Sequence, residues 1–290
     1  MAANRVEGTP ENYSQLYCSG RENAKIWFFG APLDRTTTYL KGTSKGPKAI
    51  RDAMIQTEEY DIRTDSNILD TGLFDLGDIA LVDGKETESV REKTADILRN
   101  GKTPLMFGGE HSVTLGVVQA IKNSGCDFKV VSFDAHADLR DTFEFDRNNH
   151  ACVMRRIADE LGKDGIMEIG IRSTAEEEKI FSDRMVFRYQ LRDNFEVAKK
   201  KLLDFVKGAS VYITVDMDCL DPGIAPGVGT PEPDGLLYHE VYELMKVLKN
   251  AKKIVGMDIV ELRPLPDNNV TEMTASKLLF ETIAQLKDRI

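Results

Sequence analysis

Residues 130–138 read Val-Val-Ser-Phe-Asp-Ala-His-Ala-Asp, an apolar run that passes directly into three polar side chains at alternate positions. A short run that is apolar on both faces is typical of a strand buried in a parallel sheet. In an extended segment alternate side chains point the same way, so Asp134, His136 and Asp138 can converge on one point. The stretch therefore predicts a buried strand whose end carries metal ligands. The alternative is a polar strand end and turn in which the aspartates cap a helix.

Five other runs have the same character and predict further buried strands, at 26–29, 105–107, 166–171, 211–215 and 254–260. Helical spacing appears between these runs, at 90–98, 241–248 and 275–286. The alternation predicts an α/β protein with helices on both faces of a mainly parallel sheet. No repeat, low-complexity tract or linker interrupts the pattern. We therefore expect a single domain over residues 25–290, preceded by a polar N-terminal arm of residues 1–24.

The composition favours an ordinary soluble protein, since 41% of the 290 residues are apolar and 30% are charged. The formal net charge of −10 argues against nucleic acid bound through phosphates and favours a small cationic ligand. No apolar leader and no apolar run of ~18 residues is present, so we expect neither a signal peptide nor a membrane span. The cysteines form no C-x-x-C pair, which predicts reduced thiols in a cytoplasmic protein. They are Cys18, Cys126, Cys152 and Cys219.

Polar side chains follow four of the predicted strands. In open parallel sheets, ligands bind beyond the carboxyl ends of the strands, so side chains placed there can form one site. The residues concerned are His111 after 105–107, Asp134, His136 and Asp138 after 130–133, Asp216 and Asp218 after 211–215, and Glu261 after 254–260. We therefore expect them to meet at one edge of the sheet.

Two of these motifs have a purely structural alternative. His111 follows two glycines and could cap the helix that begins near Ser112. Asp216 and Asp218 precede the turn-forming residues 221–223 and could belong to that turn. However, two buried carboxylates repel each other strongly unless a cation lies between them.

Two further residues and one loop complete the candidate site. His150 lies in a polar loop, where it is either solvated or a proton carrier, since the pKa of a histidine is normally about 6.5. The glutamate at 261 needs a partner, and the choice is between a substrate guanidinium and an internal ion pair with Arg263. The glycine- and proline-rich loop 227–235 lacks the lysine of a phosphate cradle, so we expect it to form a wall of the site.

Six candidate ligands predict a pair of divalent metal ions, namely His111, Asp134, His136, Asp138, Asp216 and Asp218. Carboxylates and imidazoles are mostly hard donors, which suits Mn²⁺, with Co²⁺ or Mg²⁺ as substitutes. Four aspartates also balance the charge of two dications. Two ions ~3.5–4 Å apart can share a hydroxide, because they lower the pKa of bound water from ~15.7 towards ~7. The set predicts a hydrolytic nucleophile without naming the bond that it attacks.

In the order and spacing of its motifs the chain resembles the ureohydrolases, the arginase and agmatinase superfamily. The resemblance covers residues from about 25 to 290 and rests on the segments 109–112, 132–138, 215–222, 229–231 and 257–261. It implies a three-layer α/β/α sandwich around the parallel sheet, with two Mn²⁺ ions, in a homo-oligomer that is trimeric or hexameric. It also implies metal-dependent hydrolysis of a guanidino compound by a metal-bridging hydroxide.

The resemblance further implies a role for each site residue. The residues expected around one metal are His111, Asp134, Asp138 and Asp218, and those around the other are His136, Asp134, Asp216 and Asp218, with Asp134 and Asp218 shared. Glu261 would hold the substrate guanidinium. From the six ligands together with Glu261, we also expect Asp138 to accept a hydrogen bond from the nucleophile and to help pass its proton to the leaving amine. His150 would shuttle protons to solvent and, with Thr230, would contact the substrate.

The expected substrate depends on two places in the chain. Arginases carry an aspartate a few residues after an Ile-Gly-Leu-Arg strand end, where it binds the amino-acid ammonium, and Ala175 takes that place here. Residues 149–156 are similar to agmatinases. The resemblance therefore favours agmatine, with putrescine and urea as products, and a role in polyamine biosynthesis. The loop 139–148 departs from arginases, and Glu144 and Asp146 are candidate anchors for the amine end.

Other functions are open at this point. Rival substrates within the superfamily are arginine and guanidinobutyrate. A zinc amidohydrolase of the deacetylase type shares the architecture but needs one metal and a tyrosine or histidine pair. A catalytically inactive binding subunit would have broken ligands, whereas all six are intact here.

Overall fold

A parallel eight-stranded sheet forms the centre of the computed structural model, which describes residues 20–290. The strands in this part of the chain are β1 (Ile26–Ala31), β2 (Tyr60–Asp61), β3 (Ser66–Asn67), β4 (Leu73–Asp78), β5 (Thr103–Gly108), β6 (Lys129–Phe133), β7 (Ile166–Ile171), β8 (Met185–Phe187), β9 (Ser210–Asp216) and β10 (Lys253–Val260). The order across the sheet is β4-β1-β5-β10-β9-β6-β7-β8, and all neighbouring strands are parallel. Strands β2 and β3 form a separate antiparallel hairpin.

Helices cover both faces of the sheet. The α-helices of the described chain are α1 (Gly46–Met54), α2 (Glu86–Arg99), α3 (Thr114–Asn123), α4 (Val153–Leu161), α5 (Arg188–Asp193), α6 (Phe195–Val206), α7 (Tyr238–Val247) and α8 (Val270–Leu286). Alternate side chains of β1 enter two separate apolar clusters, because Ile26 and Phe28 belong to one and Trp27 and Phe29 to the other. One cluster includes residues of α1 and α8, and the other includes residues of α2 and α4. The expected three-layer α/β/α sandwich is confirmed.

All six predicted strands are present, and the two sheet strands that the sequence did not reveal are the two edges. Strand β4 contains Asp75 and Asp78, and β8 has only three residues. An edge strand has a neighbour on one side only and is less completely covered, so it needs no unbroken apolar run. The central strands are buried on both faces, which is why their sequences are the recognisable ones.

A row of polar side chains crosses the middle of this otherwise apolar sheet. The strand register pairs Asp258 with Thr214, Thr214 with Ser132, and Ser132 with Glu168. At most 1% of each of these residues is exposed. Polar groups in such a position require hydrogen-bond partners, so the row marks a constrained part of the interior.

Several expectations concern the chain outside the sheet. Most of the expected N-terminal arm and Cys18 lie outside the described residues, and the single domain over 25–290 stays a prediction. Cys126, Cys152 and Cys219 carry free thiols, as expected. No helix within residues 20–290 has the length and apolar character needed to cross a bilayer.

Candidate metal centre

The candidate site lies at the carboxyl ends of four adjacent central strands. Strands β5, β10, β9 and β6 are neighbours in that order. The side chains that follow them are His111 after β5, Glu261 after β10, Asp216 and Asp218 at the end of β9, and Asp134, His136 and Asp138 after β6. The sheet therefore brings together the residues that the sequence placed at one edge.

His111 faces three carboxylates from two strand ends. Its Nδ1 atom lies 3.1 Å from Asp134 Oδ2, 3.4 Å from Asp138 Oδ2 and 3.5 Å from Asp216 Oδ2. Only 1% of the imidazole is exposed, and His111 itself does not line the cavity, whereas Asp138 and Asp216 do. One imidazole nitrogen with several carboxylate oxygens is a donor set that suits a hard divalent cation.

His136 belongs to a second, more accessible group. Its Nδ1 atom lies 2.9 Å from Asp218 Oδ2 and 3.9 Å from Asp134 Oδ1. Its other ring nitrogen, Nε2, lies 3.5 Å from Glu232 Oε1, and 24% of the side chain is exposed. The two groups share Asp134, which can therefore bridge two ions.

The structure groups two aspartates differently from the arrangement that the resemblance implied. Asp216 offers its oxygen to the group of His111 and Asp134, whereas Asp218 joins His136 and Asp134. Asp216 Oδ1 accepts a hydrogen bond of 2.8 Å from the Asp218 N–H at the turn that follows β9. Asp134 is thus the carboxylate common to both groups, and Asp218 lies with His136.

The electrostatics of the site fit a pair of cations. Among the described residues, the buried atoms His111 Nδ1 and Asp134 Oδ2 make no hydrogen bond of ordinary geometry. Burial, together with the charges of Asp138 and Asp218, raises the pKa of Asp134 to about 7. Burial alone would lower the pKa of His136, but Asp218 and Asp134 raise it to about 10. Cations placed among these carboxylates would remove the repulsion that produces these shifts.

The backbone is strained at two site residues. Asp138 and Glu261 have φ angles of 49° and 59°, in the left-handed region that residues other than glycine rarely adopt. Such conformations cost about 1–3 kcal/mol each and persist where the surrounding structure enforces them, often at functional sites. Gly109 serves a related purpose, because a Cβ atom there would lie 1.9 Å from the Leu33 carbonyl oxygen. The glycines before His111 therefore do let the backbone pass close to another segment.

Glu261 is turned towards the metal ligands and not towards Arg263. Its Oε1 atom accepts a hydrogen bond of 2.7 Å from the His111 N–H, and only 5% of the residue is exposed. Arg263 instead donates to the Lys41 carbonyl oxygen. Burial raises the pKa of Glu261 well above its usual range. Within residues 20–290 Glu261 makes no ion pair, and a buried carboxyl group of this kind at the wall of a cavity is suited to a positively charged ligand.

His150 lies at the wall of the same cavity and is held by a threonine. The backbone nitrogen of His150 and its ring atom Nδ1 each lie 3.0 Å from Thr36 Oγ1. The Thr36 hydroxyl donates its hydrogen to Glu110 Oε1 at 2.8 Å, so its oxygen acts as the acceptor for the ring. Nδ1 therefore carries the hydrogen in the neutral ring, and Nε2 is free to exchange a proton. No pattern in the sequence singled out Thr36.

The cavity that includes these groups is lined by Asp138, His150, Glu261 and Thr230, among others. Thr230 also donates a hydrogen bond of 3.2 Å to Asp218 Oδ2, so loop 227–235 does form a wall. The candidate anchors Glu144 and Asp146 are not part of the lining, and Asp146 lies 3.4 Å from Arg35. Residues 143–146 form a tight turn whose main chain pairs Phe143 with Asp146.

Arg172 is a further positioning residue that the sequence did not single out. Its guanidinium donates to six peptide carbonyl oxygens, those of Gly170, Asp218, Cys219, Leu220, Glu232 and Pro233. It thereby fixes both ends of the segment 218–233 against the end of β7. The only signal available was an arginine directly after a buried strand with no acid beside it.

Comparisons with known proteins give this site a context. Residues 24–284 match the model of the Arginase family. The chain belongs to the arginase family. An N(1)-aminopropylagmatine ureohydrolase from Thermococcus kodakarensis is 39% identical over 275 residues, which are 91% of this chain and 92% of that protein. An agmatinase from Bacillus subtilis is 33% identical over 274 residues, 90% of this chain and 92% of that protein. The crystal structure of an agmatine ureohydrolase of Thermoplasma volcanium superposes with a TM-score of 0.84 at 39% identity, covering 94% of each chain.

Membership in the arginase family confirms that the protein is an enzyme, a ureohydrolase. The family typically uses a binuclear Mn²⁺ centre, and the two donor groups described here provide the residues for one. The deacetylase-type amidohydrolase and the inactive binding subunit are accordingly set aside.

Proposed function

We propose that this arginase-family ureohydrolase cleaves agmatine to putrescine and urea, with two Mn²⁺ ions held by the groups around His111 and His136. The observation that carries the choice of substrate is the segment after β7, where Ser173 and Thr174 line the cavity and the neighbouring Ala175 offers no carboxylate for an amino-acid head group. Of the acids that follow, Glu176 and Glu177 are exposed, whereas Glu178 is buried and lines the cavity. The oxygens of Glu178 accept hydrogen bonds from Leu139, Thr174 and Ala175. An α-ammonium group would therefore lack a free anionic partner there, which favours a substrate without one.

Glu261, Asp138 and His150 have separate roles in the proposed hydrolysis. Glu261 keeps Oε1 on the His111 N–H and offers Oε2 to the guanidinium, which holds the carbon to be attacked in place. When bound, the two ions lower the pKa of water from ~15.7 towards ~7 and so supply a nucleophile at neutral pH. Asp138 takes the proton of that nucleophile and delivers it to the departing amine as the carbon–nitrogen bond breaks. His150 returns protons to solvent through Nε2.

A panel of substrates tests the proposal. Urea release should be measured with added Mn²⁺ for agmatine, N(1)-aminopropylagmatine, arginine and guanidinobutyrate, and we expect the highest kcat/KM for agmatine. N(1)-aminopropylagmatine is the second candidate, because the Thermococcus relative named after that activity is 39% identical. A higher kcat/KM for any other member of the panel would overturn the choice of agmatine.

Glu261→Gln tests the mechanism. The amide keeps the shape but loses the negative charge that pairs with the guanidinium. We expect kcat/KM to fall at least about 100-fold while two Mn²⁺ ions remain bound, as counted by emission spectrometry. Turnover close to that of the wild type would remove Glu261 from the mechanism.

A further inference from the structure

The ring of His111 has a hydrogen-bond partner inside the sheet. Its Nε2 atom lies 2.9 Å from Thr214 Oγ1, and both residues are fully buried. Thr214 is on β9, two residues before Asp216, on the side of the imidazole opposite to the carboxylates. Nothing in the roles described above makes use of this contact.

Asp258 lies behind Thr214 on the neighbouring strand. The two residues are partners in the register of β9 and β10. Asp258 Oδ2 accepts hydrogen bonds from the Tyr212 hydroxyl at 2.5 Å and from the Thr114 hydroxyl at 2.8 Å. Asp258 Oδ1 has no partner of ordinary geometry in residues 20–290. Burial raises the pKa of Asp258, which leaves Oδ1 as a buried acceptor in need of a donor.

Counting donors fixes where the hydrogens are. A carboxylate only accepts, so Tyr212 and Thr114 point their hydroxyl hydrogens at Asp258 Oδ2. Thr214 is the register neighbour of Asp258, so its hydroxyl is the donor placed beside the open acceptor Oδ1. A hydroxyl has a single hydrogen, and once Thr214 has given it to Asp258 its oxygen can only accept from His111. Nε2 must therefore carry a hydrogen, and the neutral ring has its lone pair on Nδ1. That atom is the one that faces Asp134, Asp138 and Asp216.

We propose that Thr214 and Asp258 are positioning residues that hold His111 with its hydrogen on Nε2 and so present the Nδ1 lone pair to a metal ion. The opposite tautomer, with its hydrogen on Nδ1, would be stabilised by the nearby carboxylates. A hydrogen on Nδ1 would point at Asp134 Oδ2, 3.1 Å away, and that contact would compete with a cation for both atoms. The Thr214–Asp258 pair makes this tautomer unfavourable, because two acceptors would then face each other at Nε2.

The inference rests on the proposed metal centre, and manganese affinity tests it independently of catalysis. Protein freed of metal with a chelator is titrated with Mn²⁺ by calorimetry. We expect Thr214→Val, which keeps the shape and removes the hydroxyl, to weaken the binding of one of two Mn²⁺ ions by about 10–100-fold. Thr214→Ser should restore the wild-type affinity. Unchanged affinity for both ions in Thr214→Val would overturn the inference.

Asp258→Asn is the second arm and keeps the test valid if Thr214→Val does not fold. Tyr212 and Thr114 require the amide oxygen, so the amide nitrogen would face Thr214 and reverse the hydrogen bond to His111. We expect a larger loss of affinity than in Thr214→Val. Thr94→Val is the matched control, since the Thr94 hydroxyl is equally buried in α2 and has no partner in the described chain. Affinity lost equally in this control would indicate a general packing effect and overturn the proposal.

Nuclear magnetic resonance gives a direct readout of the tautomer. The chain has four histidines, so ¹⁵N-histidine spectra of zinc-loaded protein are simple to assign. We expect a slowly exchanging Nε2–H signal for His111 that exchanges faster in Thr214→Val. A hydrogen on Nδ1 in the wild type would overturn the inference. Wild-type protein that binds two Mn²⁺ ions but releases no urea would overturn only the proposed function, and protein that binds no Mn²⁺ would overturn both.

Discussion

The two histidines of the candidate metal centre use the same atom and are supported in opposite ways. His111 and His136 both turn Nδ1 towards carboxylates. Behind His111 lies the buried pair Thr214 and Asp258, within the sheet. Behind His136 lies Glu232, a loop residue with 34% of its side chain exposed. One half of the centre is therefore part of the hydrophobic core, and the other half depends on a loop that water can reach.

This difference indicates which substitutions will lower the stability of the protein as well as metal binding, and which will affect metal binding alone. Changes on the His111 side leave buried charges or hydrogen-bonding groups without partners, and water cannot replace what is lost. On the His136 side water can enter and solvate the groups that remain.

The largest difference should appear between His111→Asn and His136→Asn. Both should lower urea release by more than about 100-fold, because each removes a ligand and not merely its support. In metal-free protein, His111→Asn should also lower the free energy of unfolding by about 3 kcal/mol, since it leaves buried carboxylates uncompensated. His136→Asn should cost clearly less. Guanidinium chloride unfolding measures this, and equal losses of stability would contradict the division between core and loop.

A smaller effect is expected from Glu232→Gln. The variant removes the charge behind His136 Nε2, and we expect less than about a tenfold loss of affinity for one Mn²⁺, because the site is accessible to water and salt. The loss should shrink further as ionic strength increases. Asp234→Asn is the matched control, since this acid of the same loop lies 3.0 Å from Arg192 and not near a histidine. A loss as large as that in Thr214→Val would mean that the two halves are equally dependent on their support.

The smallest effect concerns Glu168, at the far end of the polar row across the sheet. Burial, followed by the charges of Asp134 and Asp138, raises the pKa of Glu168 well above its usual range. The folded protein thus keeps a proton that the unfolded chain releases, and the stability gained below the usual pKa is lost as the pH rises through the raised value. The free energy of unfolding of metal-free Glu168→Gln is therefore compared with that of the wild type at pH 5 and at pH 8. We expect this difference to favour the variant by on the order of 1 kcal/mol more at pH 8 than at pH 5. The same difference between variant and wild type at both pH values would contradict this assignment.

The sequence could predict the parts of the site that follow from the alternation of side chains along buried strands. Asp134, His136 and Asp138 were recognisable because they continue an apolar run, and the ends of parallel strands share one edge of a sheet. Thr214 and Asp258 were not recognised, because a polar residue within a strand gains meaning only when the register shows its neighbour. The register depends on contacts between distant parts of the chain, which one sequence does not display.

Local backbone conformation explains the other differences. The grouping of Asp216 with His111 depends on the turn that the Asp218 N–H makes with Asp216. The positive φ angles of Asp138 and Glu261 are imposed by the surrounding fold against the residues' own preference. The candidate anchors Glu144 and Asp146 are not among the residues that line the cavity, and the main chain of their loop closes in a tight turn between Phe143 and Asp146.

Arg172 has a consequence for attempts to redesign this enzyme. Its guanidinium donates hydrogen bonds to peptide oxygens at both ends of the segment 218–233. A single side chain therefore holds together the two ends of a segment that contains the candidate ligand Asp218 and the cavity-wall residue Thr230. Loop exchange between relatives, a common route to new substrate preference, would succeed between these anchoring points only if the recipient scaffold retains that arginine. Arg172 and the segment 218–233 must therefore be transferred together.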